Sequence, residues 1–549
     1  MEDGEENYLP RFFSWKMSAI KFTWLISLLL TFFYNTAFFN ALAVAAPIKN
    51  IESAAFFTNI VVLLCVFNAL VFSLFVFPRI IKPIVALIFI SAASAAYFMN
   101  TYGIVIHQTM IQNTMETDIK EIHGLLNGTL IAYIILLGVV PSIFLLKIKI
   151  IFGNFKQQIF SKLKLWGLVV IAIAVLMVPF SADYASFFRN NKNIRQMASP
   201  ANFIYATLSY VFLSNKSTVI TPIGEDAKLN AQAKKQTKPI LFVIVVGETA
   251  RADHFSINGY PKDTTPLIAQ QDIINYRYVL SCGTETAVSV PCMFSNLTRE
   301  HYSDKKAKSQ EGLLDLLKRS GYSVLWRDNN SSCKGTCNRV EYEDLADLKT
   351  PELCNDRECF DNILLHDIDK KLTDMDGNKV IILHQKGSHG PDYYNRYPAD
   401  MEIFKPVCKV NKLQDCSSEE INNAFDNTIR MTDQFLNNTI EWLKAQSNTY
   451  NTALIYLSDH GESLGEKNLY LHGMPYLIAP KEQKHVPFFF WFSKNFELES
   501  GIDRQCLNSN AETAYSHDNL FHTTLSLLNV STGLYKPELD MTGNCRKYN

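Results

Sequence analysis

Four apolar runs after residue 238 end on side chains that can bind a metal ion or carry a proton. "PILFVIVVG" is followed by Glu248, and "ALIYLS" is followed by Asp459 and His460. "YSVLW" leads to Asn330, and "VIIL" leads to His389. Carboxylates and imidazoles together suit zinc, with manganese as the alternative, and the lack of thiolate candidates argues against a purely structural zinc site.

A hydroxyl-rich loop, "SCGTETAVSVPC", offers a nucleophile. Its four hydroxyls belong to Ser281, Thr284, Thr286 and Ser289. A hydroxyl bound to a metal loses its proton more easily, which makes a nucleophile at neutral pH. The alternative reading is an ordinary turn whose hydroxyls cap a helix. The chemistry of the loop does not choose among the four.

The elements that must position these residues are strands alternating with helices. The apolar runs have the composition of buried strands, and segments such as "EGLLDLLKRSGY" and "NAFDNTIRMTDQFLNNTIEWLKAQ" between them are typical of helices. This alternation predicts an α/β domain with a mainly parallel sheet. Ligands bind beyond the carboxyl ends of the strands in open sheets of this type, so the polar residues are expected at one edge.

The first third of the chain is almost entirely apolar and predicts a membrane domain. Each apolar segment approaches the roughly 20 residues that a helix needs to cross a bilayer. A cleaved signal peptide is the alternative for the first of them, but four more follow. The five segments are residues 19–42, 56–77, 80–98, 126–146 and 165–181.

Basic residues predict the orientation of these spans. "KIKIIFGNFKQQIFSKLK" between the fourth and fifth spans has five lysines and no acidic residue. With this loop in the cytoplasm, five spans send everything after residue 182 to the other side. We therefore expect 1–182 to be the transmembrane domain, 183–238 an interfacial helix and linker, and 239–549 an extracytoplasmic catalytic domain.

The cysteines support this placement. Ten of the eleven follow residue 280, and only Cys65 lies in the apolar third. An even, closely spaced set outside the cytoplasm predicts disulfide bonds. The expected pairs are Cys282–Cys292, Cys333–Cys337, Cys354–Cys359, Cys408–Cys416 and Cys506–Cys545. The formal net charge of −1 over 549 residues gives no reason to expect nucleic acid as a partner.

Four longer motifs resemble one enzyme family. "VVGETARADHFSINGYP", "SCGTETAVSVPCMFS", "GSHGPDYYNRYP" and "LSDHGESLGE" are similar to the motifs of the lipid A phosphoethanolamine transferases. These are bacterial inner-membrane enzymes with an alkaline-phosphatase/sulfatase-like catalytic domain in the periplasm. The similarity covers essentially the whole chain, five spans included.

The resemblance assigns roles to particular residues. It implies that Thr286 is the nucleophile and that it holds a catalytic zinc together with Glu248, Asp459 and His460. Residues around the transferred phosphate would be Asn330, Lys334, His389 and His472, and the two histidines could bind a second metal or transfer protons. In the outer loop, the pattern N-x3-T-x3-E matches Asn113, Thr117 and Glu121 to the residues that bind the lipid headgroup.

The resemblance also implies the reaction. Phosphoethanolamine would pass from phosphatidylethanolamine to Thr286 and then to a phosphate of lipid A. According to this resemblance, the product would lower the negative charge of the cell surface and give resistance to polymyxins. The alternatives are the same chemistry on a lipopolysaccharide core sugar, a periplasmic glucan or a glycerol-phosphate polymer, a membrane-anchored receptor without turnover, and a free hydrolase. We expect a membrane-embedded monomer.

Overall fold

The structure, a computed structural model, describes residues 15–116, 125–191, 194–214 and 220–547. It divides into two compact units. The membrane unit comprises residues up to 111 together with 126–210, and the α/β unit comprises residues 112–125 and those from 211 onward. The predicted three-part division of the chain stays a prediction, since compactness alone does not define functional domains.

Apolar helices build the membrane unit. Within the described residues, four are long and apolar enough to span a bilayer, and a bent pair makes a fifth if it counts as one span. The prediction of five helices is confirmed in this form. The helices are Ala19–Phe33 and Thr36–Ala45 (the bent pair), Ile51–Phe75, Ile81–Tyr102, Gly128–Lys147 and Phe155–Met177.

Buried hydrogen bonds of one side chain lie at the break in the first span. Its two helices meet at an angle of 62°, and Asn35 lies between them. The Asn35 amide donates to Leu30 O at 2.9 Å, and its carbonyl oxygen accepts from Ser199 N at 2.7 Å. Backbone groups in a bilayer must find partners within the protein, and this buried side chain supplies them.

The segment predicted as one interfacial helix forms two. Ser181–Asn190 and Ala201–Ser214 are separated by a short 3-10 turn, Ile194–Met197. Pro200 directly precedes the second helix. Because proline lacks an N–H, it is tolerated at the start of a helix and disrupts its interior.

The α/β unit contains an eight-stranded sheet. Its strands, numbered along the chain, are β1 Ile240–Gly247, β2 Ile273–Leu280, β3 Ser323–Asp328, β4 Glu341–Asp344, β5 Lys379–His384, β6 Asn451–Ser458, β7 His485–Phe492 and β8 Ala514–Ser516. Their spatial order is β8-β2-β7-β6-β1-β5-β3-β4. Only the pairings of β7 with β2 and β6 are antiparallel among these strands. The predicted α/β fold with a mainly parallel sheet is therefore confirmed.

Helices cover both faces of the sheet. Alternate residues of β1 enter two separate cores, with Val243 on the face covered by the helix Ser418–Gln446 and Ile244 on the other. Every residue of β1 is buried, as expected for a central parallel strand. The other α-helices that the structure describes from residue 220 onward are Thr286–Met293, Asp304–Lys308, Leu313–Arg319, Ile368–Asp374, Lys494–Ser500, Arg504–Ser509 and Asp518–Leu527.

Five disulfide bonds link short segments of the α/β unit, and they join the same pairs that the sequence predicts. The eleventh cysteine, Cys65, is free and buried in the membrane unit. The bonds are Cys282–Cys292, Cys333–Cys337, Cys354–Cys359, Cys408–Cys416 and Cys506–Cys545.

Candidate active site

Sheet register brings together residues that are far apart in the chain. Strands β6, β1, β5 and β3 are parallel neighbours. Gly247 of β1 pairs with Ser458 of β6, so Glu248 and Asp459, which follow them directly, lie side by side. Asn330 follows the end of β3 at the same edge. The polar residues therefore meet at the carboxyl edge, where ligands bind in this class of sheet.

Glu248, Asp459 and His460 form a fully buried cluster. One potential ligand atom from each lies within 4.8 Å of the others. The Thr286 hydroxyl donates to Glu248 Oε1 and Oε2 at 3.2 and 3.1 Å and lies 3.4 Å from His460 Nε2. All four residues predicted to hold the metal thus converge on one point.

This donor set fits a divalent cation. Among the described residues, Asp459 Oδ2 is a buried oxygen without a hydrogen-bond donor. Burying a carboxylate is costly unless it is paired or coordinates a metal. Two carboxylate groups, one imidazole and one hydroxyl oxygen are hard or borderline ligands with the count that four-coordinate zinc uses.

The pKa values of the two carboxyl groups also favour a bound cation. Burial and the adjacent charge of Glu248 raise the pKa of Asp459 well above its usual value. Burial also opposes ionisation of Glu248, but the interaction of its carboxylate with the imidazoles of His460 and His389 outweighs burial and lowers the pKa of Glu248 to about 2. Without a cation, only one of the two neighbouring carboxyl groups ionises readily. A divalent ion would allow both to be anionic.

Only one of the four candidate hydroxyls faces this cluster. Ser281 Oγ donates to Gly283 O at 2.5 Å, and Ser289 Oγ accepts from Gly283 N at 2.8 Å. Thr284 Oγ1 donates to Met474 O at 2.6 Å. These three therefore shape the loop. Thr286 begins the helix Thr286–Met293 (the Thr286 helix), where the helix dipole favours negative charge.

Backbone conformation allows the ligand loops to approach closely. Thr249 has φ = +59°, and its N–H donates to Asp459 Oδ1 at 3.1 Å. Gly387 has φ = +55°, and a Cβ there would lie 2.5 Å from Glu248 O. The next residue, Ser388, donates its N–H to that same oxygen at 3.0 Å. A side chain at position 387 would push this loop away from Glu248.

Asn330 and Lys334 extend the site on one side. The Asn330 amide donates to Glu248 Oε2 at 2.7 Å and to Gln385 O at 2.8 Å. Lys334 is buried and in the left-handed region, with φ = +50°, and its Nζ donates to Ser331 O at 2.8 Å. The Cys333–Cys337 bond encloses this lysine. Asn330 therefore contacts a ligand residue directly, whereas Lys334 is bonded to the loop that follows β3.

Two further histidines lie beside the cluster. The His472 ring centroid is 4.5 Å from that of His460 and 5.1 Å from that of His389. Burial lowers the pKa of His389 well below its usual value. Burial also lowers the pKa of His472, but the negative charge of Glu462, whose Oε2 lies 3.1 Å from His472 Nδ1, outweighs it and raises the pKa to about 9. One imidazole is thus kept neutral and the other protonated.

Glu462 is absent from the predicted set. It is fully buried, and its carboxylate lies against the ring of His472. Its position two residues after His460, in "DHGE" at a strand end, is a signal that could have found it. The first two residues of this motif, Asp459 and His460, predict metal binding. The sequence does not show which histidine the carboxylate of Glu462 contacts in the fold.

The predicted headgroup residues are described only in part. Asn113, on the helix Gln108–Glu116, belongs to the α/β unit. Its amide donates to Glu285 Oε2 at 2.7 Å, and Glu285 directly precedes Thr286. Thr117 and Glu121 lie outside the described residues. Glu285 itself is absent from the predicted set, and its place next to Thr286, the predicted nucleophile, is the one signal in the sequence.

The fold and the site define a class. A mainly parallel sheet with a metal-type cluster and a hydroxyl group at its carboxyl edge is typical of the alkaline-phosphatase/sulfatase-like enzymes. The sulfatase family model matches residues 241–530, which contain all eight strands except the first residue of β1. The predicted sulfatase-like fold is therefore confirmed.

Within this class, the chain belongs to the phosphoethanolamine transferase family. The family model described as phosphoethanolamine transferase EptA/EptB matches residues 64–214. The chain is 39% identical to phosphoethanolamine transferase EptA of Escherichia coli K12, over 95% of this chain and 96% of the relative. It is 40% identical to phosphatidylethanolamine transferase Mcr-1 of Escherichia coli, over 93% and 95%.

A solved structure is similar over nearly the whole chain. The integral membrane lipooligosaccharide phosphoethanolamine transferase A (EptA) from Neisseria meningitidis superposes with a TM-score of 0.92 at 36% identity, covering 97% of this chain and 99% of that one. With the apolar helices and the disulfides, this similarity confirms the predicted location. The chain is an inner-membrane protein whose α/β unit lies in the periplasm.

Proposed function

We propose that this chain transfers phosphoethanolamine from phosphatidylethanolamine to a phosphate group of lipid A, through a phospho-threonine intermediate on Thr286. The observation that carries the proposal is the Thr286 hydroxyl at a helix start, in contact with Glu248 and His460. The relatives named above are phosphoethanolamine and phosphatidylethanolamine transferases, and one is named for lipooligosaccharide. They support the transferred group and the class of acceptor.

The proposed cofactor is one tightly bound zinc ion, with Glu248, Thr286, Asp459 and His460 as its ligands. When bound, zinc would lower the pKa of the Thr286 hydroxyl and offset negative charge on the phosphoryl oxygens. His389 and His472 are available to a second metal. All of these residues belong to one chain, which supports a monomeric enzyme.

In the first step, Thr286 Oγ1 attacks the phosphorus of phosphatidylethanolamine. A bond forms between Oγ1 and phosphorus, and the bond between phosphorus and the glycerol oxygen breaks. We assign His472 as the acid that protonates this oxygen, with Glu462 holding its ring. In net terms, the hydroxyl proton of Thr286 ends on diacylglycerol. Lys334 and Asn330 would neutralise and position the phosphoryl oxygens, as phosphoryl transfer requires.

In the second step, a phosphate oxygen of lipid A attacks the phosphorus of phospho-threonine. The bond to Oγ1 breaks, Thr286 Oγ1 takes up a proton from the solvent, and phosphoethanolamine is now attached to lipid A. The acceptor is already anionic, so it needs little help from a base. Asn113, Thr117 and Glu121 would hold the ethanolamine headgroup.

The modified lipid A would change how the cell surface binds cationic peptides. Each transfer adds an ammonium group beside a phosphate of lipid A, which reduces the negative charge at the cell surface. Cationic peptides such as polymyxins would bind this surface less tightly, because their attraction depends on that charge. We therefore propose a role in resistance to these antibiotics.

Intact-protein mass spectrometry tests the proposal. The full chain is incubated in proteoliposomes with phosphatidylethanolamine and without acceptor, and fragmentation locates the adduct. We expect one phosphoethanolamine on Thr286, which is lost when lipid A is added. An adduct elsewhere would contradict the assigned nucleophile. Discharge to a core sugar, a glucan or a glycerol-phosphate polymer, but not to lipid A, would replace the acceptor.

A further inference from the structure

We propose that the loop of residues 473–484 (the Leu477 loop) inserts Leu477 and Ile478 into the periplasmic leaflet of the inner membrane and so docks the α/β unit on the bilayer. The loop links His472 to strand β7. Leu477 is 91% exposed, as much as Ile51 (90%) at the start of a membrane-spanning helix. The inference concerns a surface and does not depend on the reaction proposed above.

Hydrogen bonds hold the Leu477 loop in a defined shape. The Tyr476 hydroxyl donates to Ser281 O at 2.9 Å, which fixes one side of the loop. At the tip, Ile478 N donates to Pro475 O at 2.9 Å and closes a four-residue turn that contains Leu477. An ordered turn therefore presents this leucine to the outside of the protein.

The Leu477 loop lies at the carboxyl edge of the sheet. Strand β7 is antiparallel to β6, and Phe488 near its start pairs with Leu457 near the end of β6. The loop that leads into β7 is therefore at the same edge as the metal-type cluster. Strand β2 is also antiparallel to β7 and ends at this edge, where Tyr278 and Leu280 are exposed. Exposed apolar side chains thus occur on two neighbouring segments of one edge.

The polar residues around the tip suit a layer of lipid headgroups. The Arg299 guanidinium carbon lies 4.3 Å from the centre of the Tyr476 ring, and Lys484 Nζ lies 5.2 Å from it. The loop itself has two lysines, Lys481 and Lys484, and one acidic residue, Glu482. Tyrosine rings are enriched at headgroup level in membrane proteins, and lysine and arginine there reach the lipid phosphates.

The membrane anchor makes a bilayer the partner that is always within reach. Because the apolar helices fix the chain in the membrane, the α/β unit meets lipid at a high effective concentration, and a small apolar surface is enough for docking. Moving Leu477 and Ile478 out of water is favourable. Docking in this way would hold the carboxyl edge, with Glu248, Asp459 and His460, at the level of the lipid headgroups.

Fluorescence in proteoliposomes tests the proposal. Leu477→Cys is made in the full chain together with Cys65→Ser, since Cys65 is the free cysteine of the described residues. The new thiol is labelled with nitrobenzoxadiazole, a dye whose emission moves to shorter wavelength in apolar surroundings. We expect this shift, quenching of the dye by doxyl groups on lipid acyl chains, and protection of the dye from iodide in the water.

A matched control uses an exposed leucine at the opposite edge. Leu498 is 67% exposed and belongs to the helix Lys494–Ser500, which follows the end of β7. Leu498→Cys with the same dye should be quenched by iodide and not by doxyl lipids. Both leucines are exposed, so neither substitution removes a packed side chain, and the control measures any insertion that the dye itself causes.

Each contrary result has a distinct meaning. Iodide quenching as strong at position 477 as at position 498 would overturn the proposal. Doxyl quenching of equal strength at both positions would also overturn it, because the dye would then drive insertion. Protection from iodide without doxyl quenching would assign the surface to protein instead of lipid. That protein would be a second copy of the chain if protection increases with the ratio of protein to lipid.

Discussion

His517 gives the sharpest prediction about how the loop before Thr286 is held. It is buried, its Nδ1 accepts from Cys282 N at 3.1 Å, and its Nε2 donates to Ser458 O at 2.9 Å. The neutral ring therefore links the loop before Thr286 to the strand before Asp459. Protonation would put a hydrogen on Nδ1 and break the first of these bonds.

The magnitude follows from the shift in pKa. Burial lowers the pKa of His517 from its ordinary 6.5 to about 4. Because the unfolded chain binds the proton more readily, stability falls as pH falls from about 6.5 to about 4. The difference between a pKa of 6.5 and one of about 4 corresponds to about 3 kcal/mol in the free energy of unfolding, and this contribution is lost below pH 4.

The assay is chemical unfolding of the detergent-solubilised full chain between pH 7 and 4. His517→Gln can keep both hydrogen bonds without titrating, so its free energy of unfolding should fall about 3 kcal/mol less than that of the wild type. His517→Phe leaves two buried backbone groups unpaired and should cost about 2–6 kcal/mol at pH 7. The reasoning fails if His517→Gln keeps the full pH dependence or if His517→Phe is as stable as the wild type.

Three further predictions concern the site and its supports. Thr286→Ala should abolish both the adduct and transfer while the thermal midpoint stays unchanged; residual transfer would move the nucleophile elsewhere. Asp459→Asn should lower the zinc content of the purified chain from about one ion per molecule, since it removes a buried anionic ligand; finding only magnesium or calcium in the wild type would contradict the ligand argument. Reduction should lower the free energy of unfolding by ~2–4 kcal/mol per bridge, and an unchanged midpoint in dithiothreitol would refute the role of the disulfides.

The strand ends that carry the site could be predicted from the sequence, because each apolar run is followed closely by polar side chains that can bind a metal ion. The apolar run of β6 stops at Ser458, and Asp459 and His460 follow it, so the sequence itself marks where the sheet meets its ligand. Parallel pairing then determines that other strand ends lie nearby. The hydroxyl that faces the cluster could not be predicted in this way. Four hydroxyls in one loop share the same local pattern, and only the fold directs Thr286 inward while the others bond to the backbone.

Contacts between distant residues of the site could not be predicted from the sequence either, because they also depend on the fold. Glu462 is two residues from His460 but orients His472, and Asn113 meets Glu285 across 172 residues. The hydrophobic periodicity of a helix or strand indicates which of its faces is buried. It does not indicate which side chain of another element contacts that face. At the break in the first membrane span, Asn35 likewise meets Ser199, a partner supplied by a distant segment.

The wide separation of the clustered residues has a consequence for assembly. Glu248 and Asp459 are brought together only when β1 pairs with β6, a strand made some two hundred residues later. A polypeptide emerging from the export channel has no binding centre until most of its length has crossed. An ion bound by this cluster can therefore be acquired only on the far side of the membrane, after β1 and β6 have both arrived there.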